Sequence, residues 1–133
     1  MVLSVSERTF TQEVLESPIP VLVNFGAPWC GLCRVIQPLL LQFQVSWGEP
    51  IKLVGVNADN NFKLVNAYRL TTLPTLILIE DGVVRQRLDG FRGRDELHLA
   101  LEEILISYKD RRRTYTGGLV GSSRAADWEC RSA

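Results

Sequence analysis

One histidine, one methionine, three cysteines and no net charge: the 133-residue chain is short of several things, and each shortage closes off a function. The zero formal charge divides into −3 over residues 1–108 (nine Lys/Arg against twelve Asp/Glu) and +3 over residues 109–133 (six against three). Neither part carries the basic surplus of a nucleic-acid binder. No apolar run approaches the roughly 18 residues that a membrane span needs. The first ten residues lack the basic-then-apolar order of a secretory signal. A reducing, cytoplasmic setting is therefore expected, and there a Cys-x-x-Cys pair is more often catalytic or metal-binding than a structural staple. Zinc wants four ligands, and beyond Cys30 and Cys33 the chain offers only His98 and Cys130 as further soft donors. His98 falls on the polar side of its helix, so a metal role is disfavoured.

What the chain does have is Phe25-Gly26-Ala27-Pro28-Trp29-Cys30-Gly31-Leu32-Cys33-Arg34. It follows the apolar run Val21-Leu22-Val23 and leads into an apolar pattern at helical spacing. Two cysteines three apart at a helix start share one face, within reach of a disulfide. The first meets unpaired backbone N–H groups and the positive end of the helix dipole, which favour a thiolate. A thiolate attacks disulfides, and a second thiol one turn on can release the mixed disulfide.

Along the chain, Leu3-Ser4-Val5 suits a short edge strand, and Ser6 is a candidate N-cap for a helix over roughly Glu7–Leu15. Ser17-Pro18-Ile19-Pro20 ends it. Val21–Phe25, broken only by Asn24, has the continuous apolar character of a strand covered on both faces. Ile36, Leu39, Leu40, Phe43 and Trp47 form one stripe of a helix from about Cys30 to Trp47, which Pro38 should kink without ending. Ile51–Val56 is a second central strand, Asn57-Ala58-Asp59-Asn60 is turn and cap material, and a short helix covers about Asn61–Tyr68. Thr75–Glu80 and Val83–Leu88 read as a hairpin closed by Asp81-Gly82. A loop, Gly90–Gly93, precedes a last helix striped by Leu97, Ala100, Leu101, Ile104, Leu105 and Tyr108. The order β-α-β-α-β-α-β-β-α implies a mixed sheet flanked by helices.

Trp29-Cys30-Gly31-Leu32-Cys33, with Leu73-Pro74-Thr75 forty-one residues beyond Cys33, resembles the thioredoxin family over about residues 1–108. Pro38, Asp81-Gly82 and Gly90 match as well. The resemblance implies an α/β thioredoxin fold: a central mixed sheet of about five strands flanked by four helices. It implies that Cys30 is an exposed nucleophile, Cys33 the buried resolving thiol, and that Trp29 shields them, with Gly31 and Leu32 between the sulfurs. Pro74 would be cis and place the Leu73 backbone where an extended substrate segment pairs with it, and Gly90 would leave room for that segment. Without the dithiol beside it, Pro74 reads as an ordinary trans proline at a strand start.

Two departures stand out. The buried Asp that many members place behind the resolving cysteine is here Asn24, and its usual Lys neighbour is Gly55. Losing both leaves a neutral interior rather than one unpaired charge. Asn24 cannot accept the proton that Cys33 must lose, so resolution would depend on water or on the departing sulfur and be slower near neutral pH. Leu32 stands where a Pro is usual and Gly26 where a Trp is common; a pair less reducing than about −270 mV is expected.

The expected function is a thiol–disulfide oxidoreductase that reduces disulfides in other proteins, with no cofactor beyond the Cys30–Cys33 pair. Its partners would be disulfide-containing proteins and a reductase of unknown type, a flavoprotein drawing on NADPH or an iron–sulfur enzyme. It would be a cytoplasmic monomer with no nucleic-acid or membrane partner. The alternative is a binding module that uses the groove beside Pro74 without turnover. Residues 109–133, with Arg111-Arg112-Arg113 and several glycines and serines, read as a basic, flexible extension. Its Cys130, beside Trp128, is the odd thiol, free or open to an intermolecular or glutathione disulfide.

Overall fold

The computed structural model describes residues 3–116, with side chains described as far as Lys109. Cys130 and the rest of 117–133 lie outside the described residues. Five strands form one sheet: β1 (Leu3–Ser4), β2 (Val21–Gly26), β3 (Lys52–Asn57), β4 (Thr75–Glu80) and β5 (Val83–Leu88), in the spatial order β1-β3-β2-β4-β5. β3 runs parallel to β2 and to β1, whereas β4 is antiparallel to β2 and β5. The sheet is therefore mixed, as the order of elements implied.

Because side chains alternate along a strand, β2 feeds two cores. Leu22 joins Leu53, Leu76 and Leu78 under Ile36 and under Leu39, Leu40, Phe43 and Trp47 of α2 (Gln37–Trp47). Leu97, Leu101, Ile104 and Tyr108 of α4 (Arg94–Thr116) close the same core. Val21, Val23 and Phe25 face the other way, against Phe10, Val14, Val54, Val56, Ile77 and Leu64 of α3 (Phe62–Ala67). Both helical stripes read from the sequence are the buried faces.

The helix expected from Cys30 to Trp47 is two segments, α1 (Gly31–Val35) and α2, joined at Ile36. Pro38 has no N–H for the carbonyl four residues back, so the path bends there. Ile36 keeps right-handed angles (φ −84°, ψ −9°), which lets the stripe continue.

Two expectations need correction, on the first helix and on the end of the last. The helix predicted over Glu7–Leu15 is only a turn at 7–9 and a short π-type segment, Thr11–Leu15, with Glu16 N–H donating to the Thr11 carbonyl at 2.9 Å. The turn and cap material at Asn57–Asn60 is a 3₁₀ turn, Ala58–Asn60, and the short helix expected over about Asn61–Tyr68 is α3, so both stand as read. The last helix continues to Thr116, so the backbone of Arg111–Arg113 is helical and the element crosses the expected boundary at residue 108. No helix among the described residues is long and apolar enough to cross a membrane.

Candidate redox site

β2 ends at Gly26, and the chain turns through Ala27-Pro28-Trp29 into α1. Cys30 N–H donates to the Ala27 carbonyl at 3.1 Å, and the Arg34 guanidinium donates to the Pro28 carbonyl at 3.0 Å. Arg34 thus ties the turn down from the first coil of α1. Cys30 is the N-cap of α1 in an extended conformation (φ −85°, ψ 105°), and its Sγ accepts the Cys33 N–H at 3.2 Å. The two cysteines are joined as a disulfide, with Cα atoms 5.3 Å apart. Opened, the same N–H meets a thiolate on Cys30, the form that attacks disulfides.

The sulfurs are not divided into an exposed one and a buried one. Cys30 is 6% exposed and Cys33 7%, so in the disulfide form the expected contrast between them is missing. Trp29, at 70% exposure, stands out from the surface, and its indole N–H donates to both Asp59 carboxylate oxygens, at 3.0 and 3.3 Å. Asp59 was read only as turn material. Its backbone N–H is held by the Asn57 side chain at 2.9 Å, which places the carboxylate across from Trp29. A contact spanning 30 residues leaves no periodic trace in a sequence.

At the same edge of the sheet, Thr75 opens β4 opposite Phe25, so Leu73-Pro74 arrives where β2 hands over to the Cys30 turn. The Leu73–Pro74 bond is cis. Pro74 is buried and Leu73 half-buried. β5 ends with Leu88 against Leu76, which brings Asp89-Gly90 to this edge too. Gly90 is exposed at φ +70°, and a Cβ there would meet nothing within 4 Å. Its left-handed backbone, rather than crowding within the chain, is what favours glycine.

Behind Cys33 the geometry differs. Asn24 and Gly55 are register partners on β2 and β3, on the face that Leu22 and Leu53 share with α2. Asn24 is buried, and its Oδ1 accepts no hydrogen bond. With Gly26, Cys33, Arg34, Gln37, Asn57 and Ser4 they line a cavity of about 390 Å³. A Cβ on Gly26 would stand 3.0 Å from Cys33 Sγ. His98, the remaining soft donor among the described residues, sits away on α4, 3.3 Å from Glu102 across one turn. No group of three or more metal-type ligands occurs among the described residues.

A mixed five-stranded sheet that delivers a Cys-x-x-Cys disulfide at the end of a central strand defines a thiol–disulfide exchange protein. The Thioredoxin family model matches residues 1–103. Thioredoxin 1 of Synechococcus elongatus is 44% identical over 90 residues, covering 68% of this chain and 81% of that protein. Thioredoxin 1 of a Nostoc species is 38% identical over 101 residues, 76% and 94% of the two chains. The thioredoxin of Listeria monocytogenes is 34% identical over 108 residues, 81% and 99%. The chain belongs to the thioredoxin family, and it is a thiol–disulfide oxidoreductase working through the Cys30–Cys33 pair.

Proposed function

We propose that the protein is a carrier of reducing equivalents in the cytoplasm, taking them from a reductase and passing them to disulfides of other proteins. The observation that carries this is the Cys33 N–H held on Cys30 Sγ at 3.2 Å. It stabilises a Cys30 thiolate, which attacks one sulfur of a substrate disulfide. The substrate's other sulfur leaves with the electron pair and takes a proton. Cys33, as thiolate, then attacks Cys30 Sγ in the mixed disulfide and expels the second substrate sulfur, leaving the Cys30–Cys33 disulfide for the reductase to open. An extended substrate segment adds as a strand along Leu73-Pro74, with Gly90 and the Trp29 ring as its borders. Gly31 and Leu32 set how α1 begins beneath the thiolate. A two-residue edge strand on one side, and Arg85 and Arg87 on the other, support a monomer, since such edges resist pairing. Residues 1–108 carry the exchange chemistry, and 109–133 act as an appended segment.

A second reading is favoured by one observation. The cavity behind Cys33 has no carboxylate, histidine or lysine in its lining, so no side chain there takes the Cys33 proton. A binding module that keeps partners in the groove without turnover fits that feature. Insulin reduction driven by dithiothreitol separates the two. The carrier reading expects catalysis that Cys30→Ser lowers by a factor of about 10³ or more, as loss of a nucleophile does. Absent catalysis, with partner retention untouched by Cys30→Ser, establishes the binder.

A further inference from the structure

α3 closes on a residue that does not favour the conformation it takes. Tyr68 caps the helix and Arg69 follows at φ +51°. Arg69 N–H donates to the Asn66 carbonyl at 3.2 Å, and Leu70 N–H reaches back to the Val65 carbonyl at 3.0 Å. This is the left-handed close of a helix, a position that glycine normally fills because a Cβ disfavours positive φ. The turn is therefore not secured by its own residue type. It opens the segment that carries Leu73-Pro74 to the sheet edge beside the Cys30 turn. At the far end of that segment, the Thr75 hydroxyl donates to the Thr72 carbonyl at 2.7 Å.

The near end is held from β5. Arg87 pairs with Ile77 across the hairpin, and Ile77 belongs to the core beneath α3, so the guanidinium leaves the sheet on that side. Its Nη1 donates to the Tyr68 carbonyl and its Nη2 to the Arg69 carbonyl, the latter at 3.0 Å. Its Nε donates to Asp89 Oδ2, also at 3.0 Å, one residue before Gly90. One planar fork thus joins the end of α3, the strand β5 and the turn at Gly90. Tyr68 is anchored by its own ring, which lies against Phe10 and Phe25 at centroid distances of 5.7 and 5.8 Å. What the fork adds is the direction in which the chain leaves Tyr68.

We propose that Arg87 is a positioning residue for exchange with protein disulfides: it sets the spacing between Leu73-Pro74 and Gly90, between which an extended substrate segment lies. The proposal rests on the reading of that edge as the substrate groove and adds the residue that spaces it. The partners of Arg87 are two carbonyls and Asp89, so it acts through the backbone it holds and not on the sulfurs. A substrate strand docks by hydrogen bonds whose geometry tolerates little displacement, so loosening one wall weakens the docking of disulfides carried on a peptide. A small disulfide with no backbone to pair does not sense the wall. Lysine at this position would supply a charge, but no planar fork that serves three acceptors in fixed directions.

Insulin and hydroxyethyl disulfide serve as the two substrates of the reduced full-length protein, and the readout is the ratio of their kcat/KM values. Arg87→Ala should lower the insulin-to-small-disulfide ratio about tenfold, the loss carried by KM for insulin with kcat nearly unchanged. Arg87→Lys should lower it at least about threefold. Amide hydrogen exchange supplies the structural counterpart: Leu70 N–H should exchange about tenfold faster in Arg87→Ala, with the β2 amides unchanged. An unchanged ratio, or unchanged exchange at Leu70, in folded Arg87→Ala overturns the proposal. So does an Arg87→Lys variant equal to the parent, because a charge without the fork then suffices. Equal slowing with both substrates overturns it as well, since the fault then lies at the disulfide. Failure of the groove reading itself looks different. Trp29→Ala, at the other border, then leaves the ratio unchanged too, whereas failure of this proposal alone leaves a Trp29→Ala loss in place.

Discussion

The two sulfurs of one bond sit in two different environments. On the Cys30 side the surroundings are made: a capped helix start, a turn tied by Arg34, a tryptophan ring moored to Asp59, and a cis Leu73–Pro74 at the same sheet edge. On the Cys33 side they are unmade: two glycines, an amide oxygen without a partner, and a cavity. Exposure does not explain the difference, since both cysteines are nearly enclosed. What differs is the supply of oriented hydrogen-bonding groups, and that supply decides which sulfur is held ready as a thiolate. The front is organised for partners with a backbone to pair.

Replacing the cavity's amide by an acid is the sharpest way to disturb this contrast. Asn24→Asp puts a carboxyl on a buried site with no cation opposite, because its register partner is Gly55. Burial raises the pKa of such a group above its unfolded value, so the folded state holds the proton more tightly than the unfolded chain. Stability is then full at low pH and falls as pH rises through the folded pKa. At pH 8 the variant should be less stable than the parent by about 2 kcal/mol or more, the gap closing towards pH 4, as read from urea melts. The same carboxylate gives Cys33 a proton acceptor, so insulin reduction near pH 7 should rise several-fold over the parent and acquire a new pH dependence. Coinciding pH profiles would refute the idea that the neutral interior slows resolution.

A smaller effect is expected between the sulfurs. Leu32 is half-buried against the core under α2 and α4, one residue before Cys33 supplies its N–H to Cys30. Leu32→Pro stiffens this turn at a position where φ is already helical. We expect the parent to be less reducing than about −270 mV and the variant to move about 30 mV lower, a tenfold change in equilibrium with a dithiol buffer. A glutathione or dithiothreitol titration that finds the parent at or below that potential contradicts the expectation.

Much of this was legible beforehand because burial is periodic. Leu39, Leu40, Phe43 and Trp47, like Leu97, Leu101, Ile104 and Tyr108, announced their buried faces by spacing alone. Asn24 and Gly55 could be paired in advance through the resemblance, and they are register partners. What failed to show were features set by contacts distant in sequence. The helix expected over Glu7–Leu15 is cut short where Glu7 N–H donates to the Asn61 side chain at 2.8 Å and the Glu7 carboxylate accepts the Lys63 N–H at 2.6 Å. Such side-chain bonds compete with the helix ladder. The hairpin also carries a bulge: Leu78 pairs with Gln86 but Ile79 with Val84, so Arg85 is an extra residue on β5 and Val84 is exposed. The cavity was invisible for a plainer reason. It is made of missing side chains, and glycine leaves the same mark in a sequence whether it serves a turn or opens a hole.

The mooring of Trp29 offers the mildest and most selective test of the front side. The indole N–H meets a carboxylate at an exposed position, where such a bond is worth a fraction of a kcal/mol to about 1 kcal/mol. Asp59→Ala should leave the thermal midpoint almost unmoved, because neither partner is part of a core. It should release the Trp29 ring, which polarised fluorescence in a Trp128→Phe background reports as faster local motion; Trp47, buried and stacked on Tyr108 at 3.9 Å, contributes a fixed background. If the ring borders the protein-facing groove, insulin reduction should fall about two- to threefold through a weaker KM, in keeping with the modest bond removed. Reduction of the disulfide by dithiothreitol, a small dithiol with no backbone to pair in the groove, should not change. Equal effects of Asp59→Ala on both reactions would mean that the Trp29 ring borders no groove for protein partners and acts on the disulfide itself.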